Sequence, residues 1–138
     1  MLELDYKVLK RIYITPQRLK VGDLAKVLKF PHSTIGSCIK RLEENGYVIY
    51  ERYKPVMLSK QGKNLGAELT RHARLLELLL HHELGLTPKD AHNESEKFNL
   101  LFSCNTINRI CAKYSHPKFC PCGEEISNSS ECFCQGKI

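Results

Sequence analysis

Residues 21–58 read VGDLAKVLKFPHSTIGSCIKRLEENGYVIYERYKPVML, and the order of their apolar periods decides the fold. Val21, Leu24, Ala25 and Leu28 fall on one face of a short helix over Val21 to Leu28. Phe30, Pro31, His32 and Ser33 form a tight break. Ser33 is placed to cap the next helix, Thr34 to Asn45, which turns Ile35, Cys38, Ile39 and Leu42 inward. Gly46 suits the left-handed position after its last turn. Tyr47 to Tyr50 has the β-branched and aromatic content of a strand, Arg52 to Pro55 is a turn, and Val56 to Leu58 is the returning strand. Helix, short turn, helix and hairpin is the order of a winged helix-turn-helix.

Working outward, Leu4, Val8, Leu9 and Ile12 predict a first helix from Leu2 to Ile14, ended by Thr15 and Pro16. Ser59 caps a long helix, Lys60 to Leu84, closed by Gly85. Leu65, Leu69, Leu76 and Leu80 give it an apolar stripe. Leu75, Leu78 and Leu79 widen that stripe beyond what one small domain needs, which predicts a partner helix and a homodimer. Thr87, Pro88 and Asp90 start another helix, continuing to about Leu100. Ser103 to Tyr114 is a final helix, with Ile107, Ile110, Cys111 and Tyr114 on one face. From Ser115 onward no apolar period remains. The expected class is mainly α with a small β-hairpin, in three parts: a winged helix-turn-helix over 1–60, a helical dimerisation domain over 61–115 and a cysteine-rich tail over 116–138.

The 138 residues are 42% hydrophobic and 26% charged, the balance of a globular protein and not of a disordered chain. No apolar run reaches bilayer length and no signal-peptide pattern opens the chain, so a cytoplasmic protein is expected. The net charge of +6 is uneven. Met1 to Arg74 carries 15 Lys and Arg against 7 Asp and Glu, whereas Leu75 to Ile138 carries 6 against 8. A basic half joined to a mildly acidic one fits a single phosphate-facing surface.

That surface is expected on the second helix of the pair. His32, Ser33, Thr34, Ser37, Lys40 and Arg41 stand at its N-terminus or outward face, where hydroxyls suit phosphates and base edges and cations flank them. Arg52, Tyr53 and Lys54 sit at the wing tip, within reach of backbone or minor groove. Double-stranded DNA is the predicted partner. Cys38, on the apolar face, reads as a small core residue.

Six of the seven cysteines fall between Cys104 and Cys134. In a chain read as cytosolic, such clustering favours metal or redox chemistry over structural disulfides. Cys120 with Cys122, and Cys132 with Cys134, form two C-x-C pairs separated by nine residues. Four thiolates at those spacings converge once the intervening loop folds back, and soft sulfur ligands select zinc, iron or an iron–sulfur cluster. A disulfide-based redox pair is the alternative without metal. Cys104 and His116 are candidate further ligands; Cys111 reads as core.

The string from Val21 to Gly66, continued through RLLELLLHHELGL, AHNESEKF and HPKFCPCGEEI, resembles the diphtheria toxin repressor family, and especially its manganese transport regulator branch. The likeness covers roughly residues 7–126. It implies a homodimeric metal-dependent repressor in which manganese or ferrous iron binds between a winged helix-turn-helix and a helical dimerisation domain. Carried across residue by residue, it implies ligands at Glu77, His92 and Glu96. Other family ligand positions hold Lys7, Lys10, Ala73, Asn99 and Leu100, with His72 one step off the expected face. Hard cations such as Mn²⁺ need about six mostly oxygen and nitrogen donors, so the family's main site is expected to be absent or altered, and sensing to have moved to thiolates.

The function predicted is a sequence-specific DNA-binding regulator, a repressor responding to metal or redox state through its C-terminal cysteines. The competing reading is a winged-helix protein-interaction module with a structural zinc-bound tail. Catalysis is not expected. His81, His82 and Glu83 lack the H-E-x-x-H order, and neither a phosphate loop nor a nucleophile elbow is present.

Overall fold

The computed structural model describes residues 1–97 and 102–126. Among them run α1 (Glu3–Ile14), α2 (Val21–Leu28), α3 (His32–Glu44), β1 (Val48–Ile49), β2 (Met57–Leu58), α4 (Lys60–Leu84), α5 (Pro88–Ser95) and α6 (Cys104–Lys113). Two compact units divide between Gly66 and Ala67.

In the first unit α3 packs on both α1 and α2. Val8, Leu9, Leu24, Ile35, Cys38, Ile39 and Leu42 are buried there, as the helical periods require. Burying an aliphatic side chain of this size contributes roughly 1.5–3 kcal/mol before entropy is counted, and these side chains are the source of the unit's stability. β1 and β2 pair antiparallel, with Val48 opposite Leu58 and Ile49 opposite Met57. Ser59 fixes the base of this hairpin. Its Oγ accepts from Gly62 N at 3.1 Å and donates to Gly46 O at 2.6 Å. Gly62 is required for contact, since a Cβ there would overlap the carbonyl oxygen of Tyr47.

Two local expectations need correction. α3 begins at His32, with Pro31 at the N-cap and no side-chain cap, so Ser33 lies inside the first turn. Ser33 instead offers its carbonyl to the Ser37 hydroxyl at 3.0 Å. α5 ends at Ser95, short of the expected Leu100; residues 98–101 lie outside the described ones.

In the second unit Leu75, Leu76 and Leu78 of α4 share a core with Ile107, Ile110 and Cys111 of α6 and with Cys120 and Ile126. Much of the wide leucine stripe is therefore filled from within the chain. Thr87 caps α5 as the sequence predicts, its Oγ1 accepting from Asp90 N at 3.1 Å, whereas Ser103, expected inside α6, is its cap and accepts from Thr106 N at 3.3 Å. The segment expected as a separate tail from 116 packs, as far as it is described, on this same core. Gly123 N donates to Cys120 O at 2.8 Å, closing the turn Cys120-Pro121-Cys122-Gly123. Proline fixes φ at its second position, and Gly123 takes φ +93 after it. Phe119 bridges to Glu125 across the turn, and Arg74 holds the returning arm through Glu125 O. No helix among the described residues is long and apolar enough to cross a membrane.

Candidate metal centre and nucleic-acid interface

The Cys120 turn brings two predicted ligand sets to one place. Glu77, Cys120 and Cys122 each offer a donor atom within 4.8 Å of the others. The two sulfurs are 3.2 Å apart, and Cys122 N donates to Glu77 Oε1 at 3.2 Å. From α5, His92 Nδ1 stands 3.5 Å from Glu77 Oε2 and 3.8 Å from Cys122 Sγ. Its Nε2 lies 3.8 Å from Glu96 Oε1, four residues on along the same face.

Glu77 is 1% exposed, and the positive charge it faces in the centre is at most that of a protonated His92. A carboxylate so buried calls for a cation or a proton. Burial and the neighbouring Glu77 and Cys120 push the Cys122 thiol up to about 12, so its sulfur ionises only when positive charge arrives. One carboxylate, one imidazole and two sulfurs form a donor set for a divalent ion of intermediate softness, such as zinc or ferrous iron. An iron–sulfur cluster asks for a set dominated by thiolates. Cys132 and Cys134 lie outside the described residues.

His116 and Cys104 take other positions. His116 Nδ1 is 3.3 Å from Cys111 Sγ beyond the end of α6. Cys104 opens α6 beside His72 and Glu68, and these three have donor atoms within 4.8 Å of one another. The sequence did not signal Glu68. It did show His72, but on the helix face that the family pattern leaves unused. The E-x-x-x-H spacing of Glu68 and His72, four apart on one helix, was the available sign.

On α3, His32, Ser33, Ser37 and Lys40 are exposed and Thr34 is half-exposed. Arg52, Tyr53 and Lys54 are exposed at the wing tip, Tyr53 with φ +68. The Arg52 guanidinium lies 5.0 Å from the Tyr53 ring centre, and Lys54 Nζ is 2.6 Å from Glu51 Oε2. Arg41 is engaged elsewhere: it forks onto the fully buried Asp5 of α1. Sequence reasoning missed Asp5, whose only local sign is its third position in α1, where it accepts from Leu2 N. Cys38 is buried as expected, and burial together with Asp5 pushes its thiol up to about 11.

Residues 6–56 match the iron dependent repressor N-terminal DNA binding domain, and residues 59–128 match the iron dependent repressor metal binding and dimerisation domain. The HTH-type transcriptional regulator MntR of Lysinibacillus sphaericus is 31% identical over 91 residues, covering 66% of this chain and 65% of that protein. Among solved structures, a manganese-dependent transcriptional repressor in complex with manganese superposes with a TM-score of 0.82 at 28% identity, over 91% of this chain and 59% of that one. A hypothetical protein from Sulfolobus solfataricus superposes with a TM-score of 0.73 at 25% identity, over 93% of this chain and all of that one. The chain thus spans less than two thirds of the curated relative's length, yet both domain types are matched in order. With a winged helix-turn-helix followed by a helical unit that gathers side chains able to hold a metal ion, this chain belongs to the iron-dependent repressor family of DNA-binding regulators.

Proposed function

We propose that the chain is a metal-responsive transcriptional repressor. It binds operator DNA as a homodimer in the cytoplasm and takes its metal at Glu77, His92, Cys120 and Cys122, with Glu96 at the margin. The observation that carries this is the convergence of those four side chains in the segment that matches the family's metal-binding and dimerisation domain. The mixed donors favour one mononuclear ion, zinc or ferrous iron, over manganese and over an iron–sulfur cluster. His32, Ser33, Thr34, Ser37 and Lys40 of α3, with Arg52, Tyr53 and Lys54 of the wing, are the proposed DNA contacts. The second unit supplies the dimer contact, as its family description states for the domain type.

Fluorescence anisotropy of a duplex from the chain's own promoter region, with zinc, ferrous iron, manganese or chelator, tests this. Cation-dependent, salt-sensitive binding that Glu77→Gln abolishes is expected. Equal binding with and without cation would overturn the metal-responsive part. Absence of duplex binding under every condition would leave the protein-interaction reading instead.

A further inference from the structure

We propose that Glu68, His72 and Cys104 form a second, buried binding site for a divalent cation of intermediate softness, zinc or ferrous iron, distinct from the Glu77 centre.

The geometry is that of ligands around a small tetrahedral ion. Cys104 Sγ is 3.4 Å from His72 Nε2 and 3.8 Å from Glu68 Oε1. With zinc–sulfur and zinc–nitrogen bonds near 2.3 and 2.0 Å, neighbouring donors of a tetrahedron stand roughly 3.5 Å apart. The three residues are 5%, 2% and 4% exposed. Glu68 and His72 share one face of α4 at i and i+4, the spacing at which a helix presents two ligands to one ion. Cys104 is the first residue of α6, at the positive end of the helix dipole, which favours a thiolate. His72 Nδ1 is buried without a hydrogen-bond partner among the described residues, so no fixed bond holds the imidazole in a competing tautomer. Burial, with the charge of the adjoining Arg71, keeps the His72 imidazole neutral, pushed down to about 4, which is the form that ligates a metal.

A buried carboxylate, imidazole and thiolate supply three donors of the kinds that zinc and ferrous iron accept, and water or another ligand would complete the four. Cys104 is disulfide-bonded in this structure, which sets the condition for loading. An external dithiol or phosphine supplies two electrons, and two protons from solvent complete the conversion of the disulfide to two thiols. The Cys104 thiol then loses its proton to solvent as the ion binds. Loading therefore requires the reduced chain, and the three residues are not those of the Glu77 centre.

The test uses the full chain, stripped of metal, held reduced with a phosphine and titrated with Co²⁺. Dialysis reads stoichiometry and the near-ultraviolet sulfur-to-cobalt band reads thiolate ligation. In a Cys120→Ser/Cys122→Ser background, one equivalent with a thiolate band is expected. Adding Cys104→Ala should remove the band, and adding His72→Gln should weaken binding at least tenfold. Glu68→Gln, which keeps the side-chain volume, should weaken binding while the band remains. Far-ultraviolet circular dichroism and a cooperative melt confirm folding of each variant. A band and stoichiometry unchanged by both Cys104→Ala and His72→Gln, or no cobalt bound in the background, would overturn the site. Either result leaves the Glu77 centre of the parent chain to be judged separately, by its own loss on Glu77→Gln.

Discussion

Arg41 on α3 grips Asp5 on α1 with two parallel hydrogen bonds, Nε to Oδ2 and Nη2 to Oδ1, each 2.9 Å. The fork matches carboxylate geometry and ties α3 to α1. Asp5 is fully buried while about a third of the Arg41 side chain is exposed, so the two truncations are not equivalent. Asp5→Ala should cost about 2–4 kcal/mol, because it removes a satisfied buried group and strands the arginine. Arg41→Lys should cost less but still lower stability, since an ammonium cannot fork. Hydrogen exchange at the amides of Val8, Leu9, Ile35 and Ile39 reads the effect within the first unit.

The same pair sets an acid limit. Burial alone would raise the Asp5 carboxyl, but the hydrogen bonds from Arg41 and the Leu2 N–H outweigh it and hold it below its usual 3.8. A carboxyl depressed on folding contributes stability that is present above its unfolded value and lost as pH falls through the folded one. The contribution should be complete above about pH 5 and decline below about pH 4. Protection of the Ile35 and Ile39 amides, compared with that in Asp5→Asn, should show the gap between the two proteins closing as pH falls. A constant gap would mean that Asp5 does not carry the acid sensitivity.

What the sequence revealed follows how locally each feature is encoded. Thr87 with Pro88, Ser59 and the Gly85 stop are signals a few residues long, and the helix ends they mark stand where the sequence put them. Ser33 misled because a hydroxyl just before an apolar period looks like a cap, whereas proline one step earlier than His32 had already started the helix. The site was legible as ligand types but not as a place. Glu77, His92 and Cys122 are distant in the chain, and the C-x-C pair looked like half of a separate thiolate site until the proline turn folded it onto α4. Asp5 with Arg41 was illegible for the same reason, since the pairing is made by packing across 36 positions.

Two glycines separate contact from conformation. Gly62 faces the Tyr47 carbonyl so closely that Gly62→Ala must push α4 off the hairpin, at about 1–3 kcal/mol or more. Gly36 lies in the middle of α3 with nothing within 4 Å of an added Cβ. Gly36→Ala should stabilise the first unit by about 0.5–1 kcal/mol through helix propensity. Opposite shifts in protection of the first-unit amides are the expected result.

On the proposed DNA face, Lys40 and Arg52 are exposed, whereas Arg41 is tied to the buried Asp5. Lys40→Ala and Arg52→Ala should each weaken duplex binding and lower the slope of log affinity against log salt by about 1, with little change in stability. Ser37→Ala should leave the salt slope alone and alter preference among operator variants. Anisotropy titrations at several salt concentrations separate these outcomes.

The sulfur at Cys122 should decide which ion the Glu77 centre prefers. Glu77 and His92 are donors that manganese accepts, whereas two thiolates draw the site toward zinc, cobalt and ferrous iron. Cys122→Asp exchanges a soft donor for a hard one at the same turn position, with Gly123 and Pro121 still fixing the backbone. The ratio of cobalt to manganese affinity should fall by about tenfold or more, chiefly through weaker cobalt binding. Cys122→Ser should weaken cobalt without improving manganese, because a neutral hydroxyl adds no charge. Competition titrations with a chromogenic chelator give both affinities on one scale. If the ratio stays unchanged in Cys122→Asp, Cys122 lies beside the ion and does not ligate it.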